Sequence, residues 1–506
     1  MSLRRTLRRV LLVLGSAALA LVLVFAGAVT WLWTTADVHT AGRVDFDEKL
    51  AVPPLAESRV DDRGRRVFDL SMRTGSKEFR PGRSTPTWGF NGDHLGPTLR
   101  AKRGERVLVN VRNELPEAST VHWHGMRLPA RMDGGPHQMV PPRGRWSPAW
   151  EVDQPAATLW YHPHPHGATA KHVRRGLAGM FILDDERSAD LKLPDDYGVD
   201  DIPVIVQDVR FDGDRFDDGQ PLMSNSGSLG DRTMVNGTLA PYHEVRDEAV
   251  RLRLVNASSA RVYSFGFADG RDFSLVGTDG GLLERPVGLS RLEMSPGERA
   301  EIVLRMRPGG RTVLRSFPHD GGDAWQDRFN GNDDSFDVLQ LRAAGTLRDS
   351  PALPGELVRP GLPDGGDAVR TRDFGLRTSG INGREMAMDR IDFAVTRGTT
   401  EIWKVTNEDG VPHNFHVHDV RFRVLSVDGR EPPPELRGPK DTVHMPGGRS
   451  VRLAVAFDGP ADPDTPYMYH CHLLRHEDRG MMGQFVVVEK GGRPGTVDAP
   501  DPHGGH

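Results

Sequence analysis

The chain has a single cysteine, Cys471, among 506 residues, so no intrachain disulfide can form. In an exported protein an unpaired thiol is a reactive liability, so it must be buried or held by something. Aromatic residues are also scarce, at 7%. Asp and Glu (70) slightly outnumber Lys and Arg (65), and the net charge of −5 leaves no basic surface for a nucleic-acid partner. Gly (57) and Pro (38), by contrast, are plentiful, which points to many short strands joined by turns. The length is too great for one core, since domains run roughly 100–200 residues each.

The first segment is built for a membrane. Arg4, Arg5, Arg8 and Arg9 precede an uncharged, mostly apolar run from Val10 to Trp33. That run exceeds the roughly 7–15 residues of a signal-peptide core and matches the ~20 needed to span a bilayer. The arginines should stay cytoplasmic, leaving everything after about Thr34 outside. Ala26-Gly27-Ala28 could serve as a cleavage site, and Arg4-Arg5-Thr6-Leu7 loosely resembles a twin-arginine signal. The length favours a retained anchor over a cleaved signal, and either way the body is extracytoplasmic.

An internal repeat organises the rest. Arg103–Asn113, Val245–Asn256 and Arg397–Asn407 each resemble a turn feeding a half-buried strand with apolar residues at every second position. Nine residues past the closing Asn, the first copy reaches His122-Trp123-His124 and the third His416-Val417-His418; the second has Ser264-Phe265-Gly266. Further on, Tyr161-His162-Pro163-His164 precedes Gly176-Leu177-Ala178-Gly179, and Tyr469-His470-Cys471-His472 precedes Gly480-Met481-Met482-Gly483. One β-unit of roughly 150 residues therefore occurs three times, and only units one and three carry histidine pairs. Such regular strand-and-turn spacing predicts antiparallel sandwiches rather than a parallel α/β arrangement. Linkers are expected near 186–200 and in the Pro/Gly-rich 345–370.

Residues two apart on a strand share a face, so His122/His124, His162/His164, His416/His418 and His470/His472 can each aim two imidazoles at one multinuclear metal site. The third unit adds His413 upstream, His476 five residues after Cys471, and Met481 ten after. Two His, one thiolate and a weak axial Met form the ligand set of a blue-copper site, which also accounts for the solitary cysteine. The first unit has Ser119, Pro163 and Leu177 at the matching places and cannot build that site. Because His470 and His472 flank Cys471, an electron arriving at the thiolate has a short covalent route to the multi-histidine set. His166 and His172 align with no ligand; His172 is read as exposed. Ten-residue spacing selects Met481 over Met482, and the tail Asp501–His506 reads as a solvated end.

Through His122-Trp123-His124-Gly125, Trp160-Tyr161-His162-Pro163-His164, Pro412-His413-Asn414-Phe415-His416-Val417-His418 and His470-Cys471-His472-Leu473-Leu474-Arg475-His476-Glu477, the chain resembles the multicopper oxidases. It is especially similar to bacterial copper-efflux oxidases, laccases and bilirubin oxidases. The resemblance implies an all-β fold of three consecutive cupredoxin-like Greek-key β-sandwich domains after an N-terminal transmembrane helix. The segments are 1–34 (anchor or signal), 44–190, 200–345 (no copper ligands) and 368–490. It implies four copper ions: type 1 on His413, Cys471, His476 and Met481; type 2 on His122 and His416; one type 3 on His124, His162 and His472; the other on His164, His418 and His470. Asp133 and Glu477 match the family's proton-supplying acids, which suits buried carboxyls tuned near the working pH.

The partners so implied are O₂ and a small reducing substrate (a phenol, an aromatic amine or Cu(I)), with a monomer expected. Copper-efflux oxidases often carry a methionine-rich insertion before the third domain; here that region offers only Met386 and Met388, so laccase-like activity is favoured over specialised Cu(I) oxidation. Two rivals make different demands. A copper-free cell-envelope protein supporting division machinery would have eroded ligand motifs, and a copper nitrite reductase would have two domains and no trinuclear set.

Overall fold

A computed structural model describes residues 2–322 and 324–497; the tail Asp501–His506 lies outside them. The apolar N-terminal run forms one helix, Ser2–Thr35. It is long and apolar enough to cross a membrane, and none of its most apolar window is buried against the body.

The described body is mostly β, in three pairs of sheets and a small ribbon of Phe211–Asp212 with Arg215–Phe216. In the first pair, a sheet containing Arg65–Arg80 and Arg106–Asn113 accompanies a four-stranded sheet ordered Leu99–Lys102, Gly179–Asp184, Ala157–His162, His122–His124. Seven- and six-stranded sheets make the middle pair, and two five-stranded sheets the last. Each pair encloses its own apolar core, centred on residues such as Val109 and Trp123, Leu252 and Phe265, and Trp403 and Phe415.

The repeat seen in the sequence is a repeat of hydrogen bonds. Asn113, Asn256 and Asn407 close equivalent strands and do the same work in each. Their Nδ2 atoms donate to Glu117 and Val140, to Arg261 and Met294, and to Val411 and Met445, all carbonyls at 2.8–2.9 Å. Their Oδ1 atoms accept from the backbone N–H two residues on, at 2.9–3.0 Å. A buried amide satisfied on all sides pins the turn that follows, and in the outer units that turn leads into His122 or His416. The glycines after the second histidine pairs also recur for a steric reason. A Cβ on Gly179 would fall 2.2 Å from the Tyr161 ring, and one on Gly483 2.2 Å from the Tyr469 hydroxyl.

Two expectations need correction. The sheets are mixed: Arg65–Arg80, Asp201–Val209 and Arg370–Arg377 pair in parallel with Arg106–Asn113, Ala249–Asn256 and Thr400–Asn407. Parallel neighbours need a crossover. In the outer units the intervening chain supplies it by running through the facing sheet, as Leu99–Lys102 and Phe393–Thr396, without a helix. The middle repeat strand, Ala249–Asn256, is buried at every position rather than half-buried. Its polar face carries Arg251 and Arg253, which pair with Glu301, while Arg253 also binds Asp201 and the hydroxyl of Thr158 in the first unit.

Candidate metal centre

The strands of the outer units bring the four histidine pairs together. His122 lies opposite His162 in one antiparallel pair, and His416 opposite His470 in the other. The two sheets meet so that His124 stacks on His416 (3.8 Å between ring centres) and His122 on His418 (3.9 Å). All eight imidazoles are buried.

Hydrogen bonding at the outer nitrogens fixes where each lone pair points. His470 Nδ1 donates to the Cys471 carbonyl (3.2 Å) and His418 Nδ1 to Asp133 Oδ2 (2.7 Å). Their bare Nε2 atoms then lie 3.2 Å apart, and His164 Nε2 is 3.1 Å from that of His470. His162 Nδ1 donates to the Pro163 carbonyl (2.8 Å) and His124 Nε2 to Asp441 (3.3 Å). That leaves His162 Nε2 3.3 Å from both His124 Nδ1 and His472 Nε2. His122 Nδ1 donates to the Asp133 carbonyl and His416 Nδ1 to that of Asp441, and their inward Nε2 atoms have no partner. Lone pairs facing lone pairs repel unless a cation lies between them, and burial holds His124, His162, His164, His470 and His472 well below the usual imidazole range. Neutral, convergent, unpartnered nitrogens fit metal ions.

A second group follows the same logic. His413 Nε2 donates to Asp409 (3.1 Å) and His476 Nε2 to the Asn225 carbonyl (2.8 Å). Both bare Nδ1 atoms sit 3.7 Å from Cys471 Sγ. Burial pushes the Cys471 thiol up to about 12, so only a nearby cation would keep it as thiolate at neutral pH. Met481 is buried beside it, with its carbonyl accepting from the Cys471 N–H (3.1 Å).

Asp133 and Glu477 stand behind the inner ring of imidazoles and are opposite in character. Glu477 faces His164 Nδ1 (3.5 Å) and His470 Nδ1 (3.3 Å), and burial lifts it well above the usual carboxyl range. Burial also acts to raise Asp133, but the adjacent His418 and His122 outweigh it and hold Asp133 well below that range.

His166, which aligns with no ligand, is exposed, but His172, read as exposed, is not. It is buried edge-on to Trp88, with Nδ1 2.9 Å from the Ser119 hydroxyl and Nε2 2.7 Å from Glu117. Sequence reasoning missed Asp441, Thr442, Asp409, Asn225 and Arg299. Arg299 braces Asp441 through Nη1 (2.7 Å) and Nη2 (2.5 Å), and so props up His124 and His416 from the middle unit. Asn225 and Arg299 carry no spacing signal because their partners His476 and Asp441 lie in the third unit, whereas Asp409, four residues before His413, could have been found by its i,i+4 spacing.

Two sequence profiles, each described as Multicopper oxidase, match residues 72–188 and 362–491. Multicopper oxidase mco of Staphylococcus haemolyticus is 33% identical over 87% of this chain and 92% of its own. The chain belongs to the multicopper oxidase family. Cell division protein FtsP of Escherichia coli is 38% identical over 87% of this chain and 93% of its own. Among solved structures, the laccase-like multi-copper oxidase CueO of Ochrobactrum sp., described as active towards lignin model compounds and lignosulfonate, superposes with a TM-score of 0.78. It is 35% identical, over 87% of this chain and all of that one. The His and Cys clusters are consistent with the mononuclear and trinuclear copper sites of multicopper oxidases.

Proposed function

We propose that this chain is a laccase-like oxidase that removes single electrons from a phenolic or aromatic donor, with Cu(I) as an incidental one, and reduces O₂ to water. The observation that carries the reading is the completeness of the donor set. Ten imidazoles and a thiol are buried in two groups, with inner nitrogens turned together and outer ones mostly occupied by carbonyls or carboxylates. The grouping of bare nitrogens supports type 1 on His413, Cys471, His476 and Met481, and type 2 on His122 and His416. It equally supports the type-3 pair on His124, His162 and His472 and on His164, His418 and His470. We read the three sheet pairs as cupredoxin-like domains spanning 44–190, 200–345 and 368–490, behind a membrane anchor.

When bound, four copper ions supply one-electron transfer and the centre for O₂ reduction. The chain's own residues do the rest. The peptide His470-Cys471-His472 joins the two groups covalently. Glu477, which burial pushes well above the usual carboxyl range, stands where it can hold a proton beside His164 and His470, while Asp133, held well below that range by His418 and His122, is the second acid of the proton supply on the His418 side. Asp409 and the Asn225 carbonyl orient His413 and His476.

A second reading, a role in cell division without turnover, is favoured by the higher identity to FtsP than to mco. Oxygen uptake by the copper-loaded full chain with a methoxyphenol, Cu(I) and bilirubin separates the two. Sustained uptake, fastest with the methoxyphenol, is expected; copper-replete protein that consumes no O₂ with any donor would refute the oxidase.

A further inference from the structure

The anchor helix does not hang from a loose linker. Trp33, at the end of the apolar run, stacks on Trp325 (4.6 Å) and meets Phe329 edge-on (5.9 Å). Arg328 Nε donates to the Trp33 carbonyl (3.0 Å), and its guanidinium pairs with Asp37. The next residues are bonded to the body in turn: Val38 N–H to Asp334 (2.7 Å), Thr40 N–H to the Ser335 carbonyl (2.9 Å) and Gly42 N–H to Asp337 (2.6 Å). The end of the apolar helix is thereby fixed against the short helix Ala324–Asn330 of the middle unit.

That same segment covers the mononuclear group. Asn330 Oδ1 accepts from the Asn225 N–H (2.9 Å), Gln326 accepts from the Asn225 amide (3.1 Å), and the Asn225 carbonyl holds His476 Nε2. On the other flank the Gly321 carbonyl accepts from Gly447 N–H (3.0 Å), and Gly447 packs on Gly410, next to the Asp409 that holds His413. Three contacts thus separate Trp33, at the end of the apolar helix, from a ligand edge. Leu222 (71% exposed) and Met223 (42%) precede the Asn225 that bonds Gln326 and Asn330, and Trp325 (43%) and, on the anchor, Trp31 (64%) are further exposed apolar side chains of these bonded segments. Tryptophans gather where protein crosses the headgroup layer, and apolar side chains exposed beside an anchor bury themselves in the adjacent lipid boundary.

We propose that Leu222, Met223 and Trp325 rest in the lipid interface, so that the oxidase takes its electrons from an amphiphilic phenolic donor dissolved in the membrane. The inference rests on the oxidase reading for the donor, but not for the docking. Four donor hydroxyls each give up one electron and one proton, and one O₂ takes all four of each to become two waters.

Two measurements on the copper-loaded full chain in phospholipid vesicles test it. In the first, a polarity-sensitive dye is placed at position 222 (L222C) or 369 (V369C), the buried Cys471 being out of reach. Val369 is 64% exposed and precedes a strand whose far end leads to the mononuclear group, roughly 25 Å away at ~3.3 Å per residue. Lipids spin-labelled near the headgroup should quench at least half the emission at 222 and little at 369. Equal quenching at both, or a mature chain beginning after Ala28, overturns the docking.

In the second, doubling the lipid at constant total donor should halve the oxidation rate of a long-chain alkyl methoxyphenol and leave that of a sulfonated, water-soluble phenol unchanged. An alkyl-donor rate indifferent to lipid overturns the proposal. Quenching at 222 with no oxygen uptake on either donor would instead remove the oxidase reading and leave the docking standing.

Discussion

Arg299→Leu is the substitution whose consequences the structure specifies most fully. The side chain is completely buried and makes every donor count: two N–H groups on Asp441, and one each on the carbonyls of Gly297 (3.0 Å), Asp279 (2.9 Å) and Thr158 (3.2 Å). Around it lie Lys440 and three carboxylates, Asp279, Glu298 and Asp441, so the buried group already has more acids than bases. Removing the guanidinium strips one buried carboxylate of its partner, at about 3–5 kcal/mol. It also orphans three buried acceptors, at about 1–3 kcal/mol each. These costs overlap through relaxation, so the expected loss is about 3–5 kcal/mol, read as a shift of the guanidinium midpoint of the copper-stripped chain in detergent. Adding Asp441→Leu removes the stranded charge and should recover about 1–3 kcal/mol. Because Asp441 braces His124 and His416, Arg299→Leu should also weaken copper retention about 10–100-fold in chelator competition. A single substitution costing under about 1 kcal/mol, or strictly additive costs in the pair, would refute the bracing argument.

Other outcomes follow from the same geometry. Glu477→Gln should keep its copper and blue colour but lower kcat about a hundredfold, with the loss seen in the turnover-versus-pH profile; unchanged turnover would remove Glu477 from proton supply. Cys471→Ser should hold one copper fewer per chain and lose blue absorption and turnover together, and full activity in it would reject the covalent route. Glu301 is fully buried, and although burial pushes it up, Arg251 and Arg253 bring it down from 4.5 to about 2. A depressed acid stabilises the fold above its unfolded value and loses that contribution as pH falls through the folded one. Native protein should therefore lose on the order of 3 kcal/mol between pH 4.5 and 2 from this group alone. Glu301→Gln should be less stable at neutral pH and show a flatter acid limb in denaturation midpoints; an unaltered limb would contradict the assignment.

The convergence of the histidine pairs, and of His413 and His476 on Cys471, was legible because it is written in local spacing, and the Asn-closed repeat because one turn was reused three times. What escaped was set by contacts between units. Asp441 and Arg299 lie far apart in sequence and matter only because the middle unit reaches the joint between the outer ones. Burial of Ala249–Asn256 on both faces has the same origin: Arg251 and Arg253 look solvent-facing until Glu301, Asp201 and Thr158 are brought to them. His172 looked exposed for want of its partners Ser119 and Glu117. The parallel strand pairs were hidden because a crossover through the facing sheet leaves no helix in the sequence to announce it.

The central claim is that one electron-accepting group and one O₂-reducing group share the peptide His470-Cys471-His472. The most direct test is a single turnover: copper-loaded protein, fully reduced without air, is mixed with a limiting amount of O₂. The account predicts that four electrons leave the protein for each O₂ consumed, that the blue absorption returns, and that no peroxide is released. Release of one peroxide per O₂, or a blue band that stays bleached while O₂ disappears, would contradict it.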